Sequence, residues 1–220
     1  MNELHNLIEH CNALYEQEKF EDLIVSVENG LASFPNSHEL YLIKGKANNK
    51  LGNTENAISD YTNAIQIKPD FCKAYYLRGN QFKNLEEYKK AIDDYERAIQ
   101  LDPDYSNAYY QIGNINLYVF NNEDIAETYF GKSIEINNDT DSLFCRGQIY
   151  LYQGKETEAL NDFNKIIELD SEFLGAYYFR GQIFNNQQEY KKAIEDLNKA
   201  FDYYSDNSEY FYILADCHSS

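Results

Sequence analysis

Apolar residues return at steps of three and four along most of the chain, the spacing of one buried face of an α-helix rather than the alternation of a strand. Residues 72–105 show it in two successive halves. In the second half Tyr88, Ala91, Ile92, Tyr95, Ala98, Ile99 and Leu101 form one stripe. Pro103 then ends the helix, because proline has no N–H to donate and cannot continue it. The pattern predicts a pair of helices.

The pair recurs. Gly45, Gly79, Gly113, Gly147 and Gly181 are separated by 34 residues each time, Pro35, Pro69 and Pro103 keep the same step, and Ala57, Ala91, Ala159 and Ala193 fall on its multiples. A fixed period of this length predicts a solenoid of stacked helix pairs. The glycines fall mid-helix, where Gly costs about 1 kcal/mol relative to Ala, so close approach of a second helix is the expected compensation.

A helix-turn-helix unit carrying an aromatic, Gly, Ala, an aromatic, Ala and Pro, read here as Tyr75, Gly79, Ala91, Tyr95, Ala98 and Pro103, resembles the tetratricopeptide repeat. The resemblance covers nearly the whole chain as one domain, with repeats at 4–37, 38–71, 72–105, 106–139, 140–173 and 174–207 and a closing helix at 208–220. It implies an all-α, right-handed superhelix (an α-solenoid) of antiparallel helix pairs, whose first helices line the concave side.

Departures from the pattern carry their own expectations. The first repeat has Cys11 in the glycine column and Leu23 and Gly30 in the alanine columns, as suits a terminal repeat with one neighbour, and looser packing is expected there. In the fourth repeat Ala126, Tyr129, Phe130 and Ser133 run one step late, which places an inserted residue near Asn121-Asn122 and a missing one before Leu143. Lys44, Arg78, Arg146 and Arg180 precede the glycines, with Asp60, Asp94, Asp162 and Asp196 sixteen residues after each. The fourth repeat lacks both partners together, having Ile112 and Thr128, which predicts a structural ion pair between the two helices of a repeat.

On the concave side that the resemblance assigns, one column runs Ile8, Leu42, Tyr76, Tyr110, Phe144, Tyr178, Tyr212 and the next Asn12, Lys46, Asn80, Asn114, Gln148, Gln182, Asp216. Amides that donate and accept, beside aromatic area of low conformational entropy, suit an extended or partly helical peptide. Tyr75, Tyr109 and Tyr177 are expected to fill the seam between repeats, whereas Tyr76, Tyr110, Phe144 and Tyr178 either fill it or bind. Lys46, Lys50, Lys73 and Lys83 fall on this face with only Glu39 against them, forming either a solvated lysine face or a patch for an acidic segment or C-terminal carboxylate. The two-carboxylate clamp with which some proteins of this family hold chaperone tails is not expected: its first lysine column has no lysine here.

Composition narrows the partners. The chain has 37 acidic against 19 basic side chains, a net charge of -18, which disfavours nucleic acid and anionic membrane surfaces. No long apolar run or basic-then-apolar leader occurs, and Cys11, Cys72, Cys145 and Cys217 lie far apart, so reduced thiols in the cytoplasm are expected. His5, His10, His38 and His218 stand beside no nucleophile, and no phosphate-binding glycine loop is present. The sequence therefore predicts a non-enzymatic protein-interaction module, with no cofactor or metal, that holds a peptide through Tyr76, Asn80 and Lys83, with Lys46, Lys50 and Lys73 toward one end and Tyr110, Asn114, Phe144 and Gln148 toward the other. A monomer is expected. The alternatives are self-assembly through the terminal repeats, where Tyr210, Phe211, Ile213 and Leu214 form an apolar half-repeat, or a role as the regulatory part of a longer protein.

Overall fold

The computed structural model describes residues 2–204 and 208–219; residues 1, 205–207 and 220 lie outside it, and with them the end of the predicted sixth repeat and the last residue of the predicted closing segment. Among the described residues there are thirteen helices and no strands. The first repeat is α1 (Asn2–Glu16) and α2 (Phe20–Ser33), the second α3 (His38–Lys50) and α4 (Thr54–Ile67), the third α5 (Cys72–Asn84) and α6 (Tyr88–Leu101). The fourth is α7 (Ser106–Tyr118) and α8 (Glu123–Asn137), the fifth α9 (Thr140–Tyr152) and α10 (Glu156–Leu169), the sixth α11 (Leu174–Asn186) and α12 (Tyr190–Tyr204); α13 (Ser208–Ser219) follows. They group into two compact units, Met1–Ala108 and Tyr109–Ser220, with the boundary inside α7. None of the described helices is long and apolar enough to cross a membrane.

The turn inside each repeat is set by one left-handed residue. It is Glu18, Gly52, Glu86, Gly154 or Gln188, with φ of 57°, 75°, 59°, 73° and 61°. The next N–H reaches back five residues, as from Glu87 to the Phe82 carbonyl at 2.9 Å. In the fourth repeat the left-handed residue is Asn121 (φ 52°) and the Asn122 N–H reaches six residues back, to the Asn116 carbonyl at 2.8 Å. The extra residue thus lies in this turn, as the shifted columns predict. Asn122 also caps α8 by accepting from the Ile125 N–H at 3.4 Å. The register is recovered at the other end of α8: only residues 138 and 139 separate it from α9, where residues 102–105 separate α6 from α7. Asn138 ends α8 in the left-handed conformation and Asp139 caps α9 through the Ser142 N–H at 2.9 Å.

The glycine column is where paired helices meet. A Cβ added at Gly45 would lie 2.5 Å from the Tyr61 ring, at Gly79 2.8 Å from Tyr95, at Gly113 2.6 Å from Phe130 and at Gly147 2.9 Å from Phe163. Those rings are fully buried beside Ala57, Ala91, Ala126 and Ala159. In the first repeat the arrangement inverts: Cys11 is buried in the glycine column, and Gly30 on α2 receives the side chain of Leu7. In the second unit α13 lays Tyr210, Ile213 and Cys217 on the sixth repeat, with the Tyr210 hydroxyl donating to the Leu197 carbonyl at 3.2 Å.

The predicted ion pairs form where arginine is present. Arg78 grips Asp94 with two bonds of 2.8 and 2.7 Å, Arg146 grips Asp162 with 2.9 and 2.7 Å, and Arg180 grips Asp196 with 2.6 and 2.7 Å. Two arginines also reach the preceding repeat, Arg78 to Thr62 at 3.1 Å and Arg180 to Asn164 at 2.7 Å. In the second repeat Lys44 departs from this. Its ammonium turns to Glu28 at 2.8 Å and stays 3.9 Å from Asp60, beside a polar cavity of about 320 Å³. Burial there raises the Asp60 pKa, opposed by the Asn48 amide and by Lys44.

Lys44→Arg is accordingly expected to stabilise the protein by about 1 kcal/mol, because a guanidinium fork supplies the paired bonds an ammonium cannot. Since the folded pKa of Asp60 lies above its unfolded value, its contribution is fully present below the unfolded pKa and is lost as pH rises through the folded one. The arginine stabilises the ionised carboxylate, so the gain over wild type should grow as pH rises through the acidic range. Urea unfolding of both proteins at several pH values checks this; a pH-independent difference would refute it.

Candidate binding surface

In the first unit the first helices α3 and α5 present the lysine cluster. Lys50 and Lys73 are exposed, while Lys46 is half-buried with its ammonium 4.7 Å above the ring of Tyr15 on α1. Burial lowers the Lys46 pKa, and the charges of Lys73 and Lys50 lower it further against the opposing pull of Glu16. Lys46 therefore feels both of the other ammonium groups. Among the described residues none of them makes an ion pair, although Lys44, Lys90, Lys132, Lys155, Lys165 and Lys192 each have a carboxylate. Lys83 is half-buried, and burial lowers its pKa as well.

The second repeat holds an orphaned donor. In the third repeat the buried Tyr95 hydroxyl donates to Asn80 Oδ1 at 2.7 Å. The equivalent hydroxyl of Tyr61, on a fully buried side chain, has no hydrogen-bond partner among the described residues. The position that corresponds to Asn80 holds Lys46, which has no acceptor to offer.

The remaining predicted residues of this unit divide between surface and packing. Asn12 is exposed on α1. Leu42 is 8% exposed within the core around Tyr61 and Ala57. Tyr76 is half-buried, its ring 5.7 Å from Tyr95 and 5.1 Å from Tyr105.

In the second unit α7, α9 and α11 form an open cleft of about 550 Å³. Leu117 and Tyr118 at the end of α7 form one wall and Leu151 and Tyr152 at the end of α9 another, with Phe179 of α11 below. Gln148 contributes an amide, and Asn121 of the turn after α7 and Glu123 at the start of α8 also line it. Tyr118 is 64% exposed and Tyr152 85% exposed. Of the predicted residues only Gln148 lines this cleft. Tyr110 packs 6.0 Å from Phe130, and Phe144 packs against Phe173 at 5.0 Å and Phe179 at 5.5 Å. Asn114 accepts from the Cys145 thiol at 3.8 Å, and burial pushes that thiol up to about 11. Tyr178 is 3% exposed and its hydroxyl accepts from Gln182 at 3.0 Å. Tyr118 and Tyr152 were not among the sequence candidates, although Leu117-Tyr118 and Leu151-Tyr152 keep the step of 34 residues.

Helix pairs repeated at a fixed step, with a glycine receiving one ring in the second to fifth pairs, define a helical-repeat scaffold. Sequence models described as tetratricopeptide repeat match residues 72–105, 140–173 and 174–207, and one described as TPR repeat matches 45–85. The chain is a tetratricopeptide-repeat protein, and three of those matches have the bounds of the repeats read from the glycine period. Among solved structures it is similar to pilF of Pseudomonas aeruginosa, at 15% identity and TM-score 0.83 over 96% of each chain. It is also similar to YrrB, described as a TPR protein with an unusual peptide-binding site, at 24% identity and TM-score 0.68 over 84% of this chain and 96% of that one. The C-terminal part of a TPR repeat-containing protein from Cytophaga hutchinsonii is similar at 19% identity and TM-score 0.74, over 96% of this chain and 84% of that one. No curated protein matches by sequence. The repeats and their structural neighbours support a protein-interaction scaffold.

Proposed function

We propose that this protein captures an acidic segment of a partner protein on the first-helix face of its second and third repeats, and that it does so without catalysing a reaction. The observation that carries this reading is the lysine cluster. Among the described residues Lys46, Lys50 and Lys73 form no ion pair, in a chain of net charge -18, and the charges of Lys73 and Lys50 both act on Lys46. A carboxylate from a partner neutralises these clustered ammonium groups. Tyr76 supplies aromatic area beside it. The overall acidity argues against nucleic acid and anionic membranes as partners, and the four free cysteines are in keeping with a reducing cytoplasm. The same reading has the protein monomeric, since α13 lays an apolar face on the sixth repeat.

A fluorescein-labelled peptide of alternating glutamate and serine tests the proposal. Binding is expected on the order of micromolar, about -8 kcal/mol, to a protein whose mass by light scattering does not change with concentration. Lys46→Glu combined with Lys73→Glu should weaken binding at least about tenfold, and added salt should weaken wild-type binding. Equal affinity for wild type and variant would refute the reading.

A further inference from the structure

The cleft of the second unit differs in chemistry from the lysine face. Its lining includes Leu117, Leu151 and Phe179, the rings of Tyr118 and Tyr152, and the carboxylate-bearing Glu123, with no lysine or arginine. The unit as a whole, residues 109–220, carries 19 acidic and 8 basic side chains, a formal charge of -11. Elsewhere in this unit tyrosines carry cations over their faces. Arg146 and Lys155 sit 5.6 and 5.4 Å from the ring of Tyr150, and Arg180 and Lys199 sit 5.5 and 4.6 Å from that of Tyr177. Tyr118 and Tyr152 hold no cation among the described residues, and Tyr152, 85% exposed, has no ring or hydrogen-bond partner either.

We infer that this cleft binds a peptide segment of a partner protein in which a large aliphatic side chain is followed by a lysine or arginine. The aliphatic group enters between the leucine walls, where about 550 Å³ gives room for one or two large side chains. The cation then meets the exposed tyrosine faces and the Glu123 carboxylate, groups that attract it together and would repel an acidic residue. Gln148, inside the cleft, offers the segment's backbone both a donor and an acceptor. Glu123 is held by the Gln153 amide, which donates to it at 3.1 Å. The inference rests on the reading of the first-helix face as a peptide-binding surface, yet it names a ligand opposite in charge to the one proposed for the first unit.

The test uses the intact chain labelled with nitrogen-15 and three short peptides, Gly-Ser-Leu-Arg-Ser-Gly, Gly-Ser-Ala-Arg-Ser-Gly and Gly-Ser-Leu-Glu-Ser-Gly. The leucine–arginine peptide should shift the amide signals of Leu117, Tyr118, Gln148 and Tyr152, and the other two should bind at least about tenfold more weakly. Tyr152→Ala should abolish the shifts, and Glu123→Gln should weaken only peptides that carry arginine. Because Tyr152 is exposed, its variant should retain the wild-type spectrum elsewhere. If all three peptides shift these amides alike, the cleft binds segments without the proposed selectivity, which overturns the ligand class and leaves the peptide-binding reading standing. If none does, the cleft is not a peptide site; the glutamate–serine titration, read at Lys46 and Lys73, then decides separately whether the first-helix face binds at all.

Discussion

Asp162→Ala is expected to lower the unfolding free energy by about 3 kcal/mol. The Asp162 carboxylate is 7% exposed and accepts two bonds from Arg146, whose own side chain is 21% exposed. The carboxylate's hydrogen bond is the leading reason why the Arg146 pKa is raised, against a burial that would lower it. Arginine does not shed its proton, so deleting the carboxylate strands a charge that is four-fifths buried, with the Tyr150 ring 5.6 Å away and the Glu127 charge beyond. Breaking a fully buried pair costs roughly 3–5 kcal/mol, and the residual exposure of the guanidinium places this one at the low end. Asp162→Leu combined with Arg146→Met should recover most of the loss, because an apolar pair leaves no charge behind. Urea unfolding followed by far-ultraviolet circular dichroism measures both. A single variant within about 0.5 kcal/mol of wild type would show the pair to be no more than a surface contact.

The Arg–Asp pairs and the glycines were legible in the sequence for one reason. A contact between the two helices of a repeat imposes the same residue type at the same place in every repeat, so the contact is printed several times in one chain. The exceptions were legible too: Ile112 and Thr128 lose the pair together, and Asn121 absorbs the inserted residue. Contacts between repeats were less visible. Arg78 reaches Thr62 in the second repeat and Arg180 reaches Asn164 in the fifth, so the column of these acceptors follows no fixed type, because either a hydroxyl or an amide oxygen serves. Lys44 shows the limit of treating basic residues as equivalent. A point charge is free to choose Glu28 over Asp60, whereas a fork of parallel donors is held by its geometry.

The candidate surface was less legible than the fold, because the exposure of a groove residue is decided by its neighbours rather than by its own column. Leu42 and Tyr76 share a column, yet Leu42 joins the core around Tyr61 while Tyr76 is half-buried between Tyr95 and Tyr105. Tyr178, in the same column, is 3% exposed. About two helical turns further on, Tyr118 and Tyr152 stay open because the ends of α7 and α9 border an unfilled cleft. The Tyr61 hydroxyl was invisible for a related reason. Its lack of an acceptor appears only when Lys46 is set against Asn80, a comparison between two residues that the sequence ranks as equally polar.

Gly79→Val is expected to destabilise the protein by about 3 kcal/mol, the upper part of the range for overpacking a close contact. A Cβ there would lie 2.8 Å from the Tyr95 ring and 3.2 Å from the Ala91 carbonyl oxygen, and neither neighbour is free to yield. The ring is fully buried and its hydroxyl is tied to Asn80 at 2.7 Å, while the carbonyl belongs to the backbone of α6. The two helices must therefore separate. Helix propensity favours alanine over glycine by about 1 kcal/mol, so Gly79→Ala should recover part of the cost. Gly131→Ala isolates that gain: it lies within α8, a Cβ there would meet only Arg146 Nη1 at 3.8 Å, and a stabilisation of about 1 kcal/mol is expected. Stacked repeats interact with their nearest neighbours, so hydrogen exchange in Gly79→Val should rise first in α5, α6 and α4. Uniform loss of protection along the chain, or none, would contradict this account. The damage also falls on the proposed binding face, since α5 carries Lys73, Tyr76 and Asn80: displacing it from α6 breaks the Tyr95–Asn80 bond and moves Lys73 relative to Lys46 on α3. Affinity for an acidic peptide should therefore fall in this variant even where the protein remains folded, whereas Gly131→Ala, on α8, should leave it unchanged.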